Sequence, residues 1–393
     1  MYIVGIDVAK RSHEAIVIDD SGSTVHKAFN FKNDADGFRK LLSVLDSVSA
    51  DPADFIIGME STSHYWLALF SNLTKSPYTV HMFNPIQSNA LRDMYIRQTK
   101  TDERDCFIIA EVIRFGRYSQ GSMPPADIYA LREMCRARFF MVDMTSDLKR
   151  KVIALLDQVF PEYETLFTDI FGLTSSALLC TCPTPAEILA VDTEKLIELI
   201  SVPSHKRFGR QKTEQIRSVA KKSFGVLLGN DAISGLIKQY MEHIRFSQQQ
   251  IMELDENIAA LFSKFDTPIT TVPGVGPVLG TAIFSEIGDI SRFRSAAKLA
   301  AFAGIDPSVR RSGEFSGIRN HMSKRGSPYL RRALWQASVI AALHDPALKA
   351  FFQKKRAQGK SYMNVIGHVT RKMASIIFAV LRDRTPYYVP DLN

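Results

Sequence analysis

The chain has 393 residues, 46% of them hydrophobic and 23% charged, with a formal net charge of +8. It is long enough for two or three domains with separate cores, and the balance is that of an ordinary soluble protein. No stretch is apolar for long enough to span a bilayer, and MYIVGIDVAK has no basic region ahead of an apolar core, so neither a membrane span nor a signal peptide is expected.

The first predicted elements are strands. Residues 2–8 form an apolar, β-branched run, and HEAIVIDD (13–20) and TVHKAFNFK (24–32) follow it across short turns, as in an antiparallel meander. Residues 34–48 have apolar positions at helical spacing, with Asp34 as a cap. FIIGME is a short buried strand, followed by a helix over STSHYWLALFSNLTKS capped near Ser61 or Thr62. YTVHMFN (78–84) is a further strand, Pro85 opens a helical stretch, and KTDERDCFIIAEVIR reads as a helix. The order βββαβαβα is that of a ribonuclease-H-like fold, an α/β unit whose central strands converge on one carboxylate cluster.

Beyond Pro125 the pattern changes. One long amphipathic helix without internal Gly or Pro runs to about Phe160, and a second covers roughly 233–265. Their length suits coiled-coil arms or spanning helices that pair antiparallel, within the chain or between chains. The stretch between them is mixed, with CPTPAEILAV as a loop leading into a capped helix. TVPGVGPVLGTAIFSEIG then places a Gly/Pro turn between helical patterns. It suits a helix-hairpin-helix DNA-binding unit and equally a plain turn between helices. Residues 291–305 read as a helix, 306–327 as a basic Ser/Gly-rich loop, and Pro328 opens a helix capped by Ser327. The expected division is 1–124, 125–265 and 266–393.

Charge is unevenly placed. From Ile290 to Asn393 there are 19 Lys and Arg against 5 Asp and Glu, while residues 1–289 carry 30 against 36. A basic, aromatic, Gly-punctuated region suits nucleic acid; a solubilising surface is the bland alternative. The four cysteines (Cys106, Cys135, Cys180, Cys182) have no framework spacing and are expected as reduced thiols, and the nine histidines offer no HExxH-type zinc site.

Four acids carry the candidate chemistry: Asp7 in YIVGIDVA, Glu60 closing FIIGME, and Asp102 and Asp105 on one face of a helix. Strand-borne acids facing a helix-borne pair could hold Mg²⁺ for phosphodiester chemistry. Taken singly, each has a bland reading: Asp7 satisfied by Lys10, Glu60 at helix amides, Asp102 and Asp105 paired with Lys100 or Arg104. The second constellation is Arg310-Arg311-Ser312-Gly313, with Lys324-Arg325 downstream and Arg331 and Arg332 beyond. A hydroxyl among cations suits attack on a phosphodiester, though Ser in a basic loop is more often a turn former. Ser316 and Ser327 compete with Ser312, and Ser327 is better explained as a cap.

Several long motifs stand in order: GIDVAK, GMESTSHYW and KTDERD, then TVPGVGP, EIGDISRFRSAAKLAAFAGIDP, RRSG and SKRGSPYLRRAL. On these the chain resembles the DEDD-type transposases of bacterial insertion sequences, which have a RuvC-like N-terminal domain and a C-terminal transposase domain; some are bridge-RNA-guided recombinases. The resemblance covers nearly the whole chain and is weakest over about 161–230. It implies that Asp7, Glu60, Asp102 and Asp105 bind Mg²⁺, or Mn²⁺ in its place, and that Ser312 attacks DNA to form a covalent phosphoserine link.

It further implies a homo-oligomer, a dimer or tetramer, in which one subunit's acids meet another's serine, and a structured noncoding RNA that specifies the DNA sites. A cytoplasmic, nucleoid-associated bacterial protein is expected. Two other readings remain open on the residues alone: a RuvC-like nuclease with no covalent intermediate, and a non-catalytic nucleic-acid scaffold.

Overall fold

Period-two runs of Val, Ile and Phe at the start of the chain form the strands β1 (Tyr2–Asp7), β2 (Ser12–Asp19) and β3 (Thr24–Lys32), and FIIGME and TVHMF form β4 (Phe55–Glu60) and β5 (Thr79–Phe83). This computed structural model describes all residues except 95–101, 117–122, 309–310, 313–314, 317–320 and 390–393, and at Asp102, Arg311, Ser312, Phe315 and Ser316 it describes the backbone alone. It divides into two units, Met1–Met123 and Pro124–Asn393.

The first unit is a mixed five-stranded sheet of order β3-β2-β1-β4-β5. The expected meander is present: β1 pairs antiparallel with β2, and β2 with β3. β4 and β5 are added parallel to β1. Helix α1 (Ala35–Val48) starts where Asp34 accepts from the Gly37 N–H. Helix α2 is shorter than its sequence suggests, Trp66–Leu73, and Tyr65 at its N-cap makes no side-chain bond. Ser61 and Thr62 therefore do not cap it. Ser61 bonds the Phe83 carbonyl, Thr62 donates to Glu60, and Ser63 takes φ 53°, which turns the chain before the helix can begin. Helices α3 (Pro85–Arg92) and α4 (Asp102–Arg114) complete the unit.

In the second unit, α5 (Ala126–Val159) and α10 (Asn230–Phe262) pack antiparallel within the chain. Leu131, Cys135 and Phe139 share a core with Ile258, while Val152, Leu156 and Val159 share another with Ile237, Met241 and Ile244. The stretch that reads as mixed in sequence contains α6 (Leu173–Thr181), α7 (Pro185–Ala190), α8 (Thr193–Ser201) and α9 (Arg210–Lys222), all in the second of those cores. Thr184 and Glu187 form the capping box expected from CPTPAEILAV.

The other core joins α11 (Pro277–Ile287), α12 (Ala296–Phe302), α13 (Pro328–His344), α14 (Pro346–Ala357) and α15 (Tyr362–Asp383). The helix expected over 291–305 is thus a single 3₁₀ turn at Ile290–Arg292 followed by the two-turn α12. In the PGVGP turn, Gly274 has φ 80°, and a Cβ there would sit 2.3 Å from the Ala337 carbonyl. This glycine serves close packing against α13.

Candidate active site

Two glycines set the geometry of the acidic end of the sheet. Gly5 on β1 and Gly58 on β4 are register partners. A Cβ at Gly5 would lie 2.0 Å from the Cys106 carbonyl oxygen, and one at Gly58 would lie 2.5 Å from Ile113. Without those side chains α4 can lie directly on the sheet. Its far end, Glu111 and Arg114, abuts Gly22 in the β2–β3 turn, beside the start of β1. The start of α4 therefore points toward the C-terminal end of β1, where Asp7 stands.

Register then brings the acids together by backbone. Ile6 is paired with Met59 in the parallel ladder, so Asp7 and Glu60 follow at the same level on adjacent strands. Asp7 is two residues, about 6.6 Å, past Gly5 along a strand, and Asp102 is four residues, about 6 Å, before Cys106 along a helix. The start of α4 and the ends of β1 and β4 reach the same height. Asp7 and Glu60 are half-buried. Glu14 pairs with Asp7 in the β1–β2 register and receives Asn30 Nδ2 at 3.3 Å.

Asp105 is 7% exposed and receives Arg92 Nη2 at 2.7 Å. The sequence suggests Lys100 or Arg104 as its partner. Arg92 lies on α3, and no local spacing could have identified it. The Asp102 side chain lies outside the described residues, and among those described no three of His, Cys, Asp and Glu gather closely enough to hold a metal. The donors at this end are all carboxylate oxygens, which suits a hard divalent cation such as Mg²⁺. Cys106 is no rival ligand: burial first, then the nearby Glu14 and Asp7 carboxylates, push its thiol up to about 12.

In the second unit the basic loop is a hairpin. Its legs are joined by Ser308 N–H to the His321 carbonyl at 2.8 Å, Ser323 N–H to the Asp306 carbonyl at 2.9 Å, and a Pro307–Met322 bridge. Further out, β6 (Arg311–Ser312) pairs with β7 (Phe315–Ser316), Ser312 opposite Phe315. Ser312 therefore ends its strand beside the connection, and Ser316 lies further back on the return strand. Arg310 and Gly313 lie outside the described residues.

The base of this hairpin is clamped. Ser327 N–H bonds the Phe302 carbonyl at 2.8 Å, and a Cβ on Gly326 would lie 1.9 Å from that oxygen. Ser327 caps α13 through the Leu330 N–H and donates to Glu286 at 2.8 Å. Glu286, 3% exposed on α11, also takes two bonds from Arg136 of α5, at 2.6 and 3.2 Å. This Glu286–Arg136 pair was not foreseen from sequence. Arg331 bonds the Ala303 carbonyl at 3.1 Å, and Arg332 binds Asp143 at 2.6 and 2.8 Å over the Phe139 ring. Both have partners inside the protein. Lys324 and Arg325 are exposed.

Comparison with known proteins now bears on this arrangement. A model of DEDD-type IS110 proteins, described as Transposase, matches residues 4–161, and one described as Transposase IS116/IS110/IS902 family matches residues 266–353. The chain belongs to this transposase family. The two matches together cover well over half of it and include the acids, the hairpin and the Ser327 clamp.

Relatives match end to end. The 44.8 kDa protein of insertion element IS116 from Streptomyces clavuligerus is 24% identical, covering 97% of this chain and 94% of that protein. The mini-circle putative transposase for IS117 from Streptomyces coelicolor is 25% identical, over 97% and 94%. The pilin gene-inverting protein of Moraxella bovis is 24% identical, over 98% and 97%. Among the described residues no helix is long and apolar enough to cross a membrane.

Proposed function

We propose that this transposase cuts and rejoins DNA through a composite site, with Asp7, Glu60, Asp102 and Asp105 on a ribonuclease-H-like unit and Ser312 on the hairpin of the C-terminal region. The observation that carries the reading is the level meeting of three element ends, Asp7 on β1, Glu60 on β4 and the start of α4. The sheet order and the three-part division 1–124, 125–265 and 266–393 support the same reading. A gene-inverting relative supports recombination over simple hydrolysis.

The chemistry follows from the groups present. Mg²⁺, held by the four carboxylates, would supply charge stabilisation at the phosphate. Ser312 Oγ attacks phosphorus, its proton passes to a carboxylate, and one phosphorus–sugar oxygen bond breaks as the Oγ–phosphorus bond forms. The departing sugar oxygen takes up a proton. Attack by a sugar hydroxyl of another strand reverses these steps and rejoins the DNA. One phosphate ester replaces another, so no external energy source is required. Acids and serine lie on different units, which suits a homo-oligomer sharing sites between subunits. A structured noncoding RNA as guide follows from the family resemblance, and the basic C-terminal balance supports a polyphosphate partner.

The test is covalent trapping on a denaturing gel, with Mg²⁺, the element's noncoding RNA and labelled junction DNA. Label is expected on wild type and Ser327→Ala and absent from Ser312→Ala. Asp7→Asn is expected to lower adduct formation at least about 100-fold. Label retained on Ser312→Ala but lost from Ser316→Ala would move the nucleophile. Cleaved DNA with no adduct, still dependent on Asp7, would replace the reading with hydrolysis.

A further inference from the structure

The positive charge of the C-terminal region is left on its last two helices. Between Glu314 and Asp383 the sequence holds one carboxylate, Asp345. That residue is 1% exposed, caps α14 by accepting from the Leu348 N–H at 2.7 Å, and accepts from the Tyr387 hydroxyl at 3.0 Å. From Pro346 to Arg382 there are eight Lys and Arg and no acid. Among the described residues, Arg382 alone of these eight forms an ion pair, with Asp383. The α13 arginines, by contrast, are turned inward onto Ala303 and Asp143.

These cations converge. Lys355 of α14 and Lys372 of α15 lie over one ring, that of Phe351, at 5.7 and 4.6 Å from its centroid. The turn between the helices is made by Gly359 at φ 77°, and Arg356 Nη1 donates to the Lys360 carbonyl across it at 2.7 Å. Asn364, His368, Arg371, Lys372 and Ser375 form one exposed stripe along α15. His368 is held below the ordinary histidine value, by burial and then by Lys360, Lys355 and Arg371, so these groups share one electrostatic neighbourhood. A merely solvated face lets its lysines spread. Here a phenyl ring gathers two ammonium groups from different helices, and an anion between them relieves the repulsion.

Position identifies the anion. A Cβ at Gly367 on α15 would lie 3.0 Å from Cε of Met322, in the returning leg of the hairpin that carries Ser312. We infer that α14, its turn and the outer stripe of α15 form a docking surface for the phosphate backbone of duplex DNA, held by Lys355, Lys360, Arg371 and Lys372. DNA is favoured over other polyphosphates because the surface adjoins the serine hairpin, where the attacked strand must lie. This rests on the reading of DNA as the substrate of that hairpin. The surface is largely outside the family match, which ends at residue 353.

The test is fluorescence anisotropy of the full chain with a labelled DNA duplex across a salt series. Lys355→Gln/Lys372→Gln is expected to weaken binding at least about tenfold at physiological salt and to make the log K against log salt slope shallower by about 2. Lys195→Gln, on α8, is expected to leave both unchanged. The two single variants serve if the double one fails to fold, each with a slope change of about 1. Affinity and slope equal to wild type would overturn the inference. So would a loss confined to an RNA duplex of the same length, which would make this an RNA surface. Covalent trapping on the same samples separates the two readings. DNA binding without adduct in wild type removes the serine reading alone, and unchanged binding in the double variant removes this surface alone.

Discussion

The carboxylates of the two units are used in opposite ways. In the first, Asp7 and Glu60 stand half-buried at the ends of adjacent parallel strands, where element ends meet. In the second, Glu286 and Asp345 are 3% and 1% exposed, and each is committed to its own fold, Glu286 to Arg136 and Ser327, Asp345 to a helix cap and Tyr387. A buried acid with good partners holds elements together, whereas an acid at a strand end keeps a side open for a ligand. The second unit draws its acids inward and so presents a cationic exterior. The first keeps several acids together at one end of its sheet.

That contrast breaks most visibly at Glu286. Removing it leaves Arg136 without its main partner and Ser327 without its acceptor, so Glu286→Ala is expected to lower stability by about 3–5 kcal/mol. Asp143 has equally good geometry with Arg332 but is 56% exposed at its side chain, and Asp143→Ala is expected to lose less than about 1 kcal/mol. Urea denaturation of the two variants checks the pair. Equal losses would show that geometry rather than burial ranks these contacts.

The next effect sharpens the acidic side. A methyl group at Gly5 meets the Cys106 carbonyl at 2.0 Å and the Ala110 nitrogen at 2.5 Å, both backbone atoms that cannot rotate away. Gly5→Ala is expected to lower stability by about 2 kcal/mol and to lift α4 from the sheet. Asp102 and Asp105 move with that helix, so adduct formation should fall more than the stability loss explains. Activity that tracks only the folded fraction would show that the height of α4 is not critical.

The strands were legible because their signals are local. Period-two runs gave β1 to β5 nearly to the residue, and Asp34, Thr184 and Ser327 were readable as caps because a cap and its N–H lie within three residues. The acids were readable as a set because an element end is a sequence feature. Their partners were not. Arg92 with Asp105 and Arg136 with Glu286 are joined by packing across 13 and 150 residues. The α2 start was misplaced because Ser63 takes a left-handed backbone conformation, which its identity does not announce. The inward use of Arg331 and Arg332 was hidden for the same reason as the ion pairs: a basic dipeptide reads alike whether it faces DNA or Asp143.

The smallest expected effect concerns His13, next to the acidic end on β2. It is 1% exposed, packs its ring 5.2 Å from that of Phe31, and accepts the Ala9 N–H at Nδ1. Burial holds its pKa below the ordinary histidine value. The folded state therefore binds a proton less readily than the unfolded chain. The stability this contributes is present above the ordinary histidine pKa and is lost as pH falls through that value toward the lower folded one. Thermal melts of wild type should move down between about pH 7.5 and about pH 5.5, and His13→Gln should show a smaller shift over that window. His81 is shifted in the same direction by burial, so some slope should remain. Identical slopes in wild type and variant would mean that the His13 ring takes its proton without loss, and that this side of the β1–β2 pair is wetter than its packing indicates.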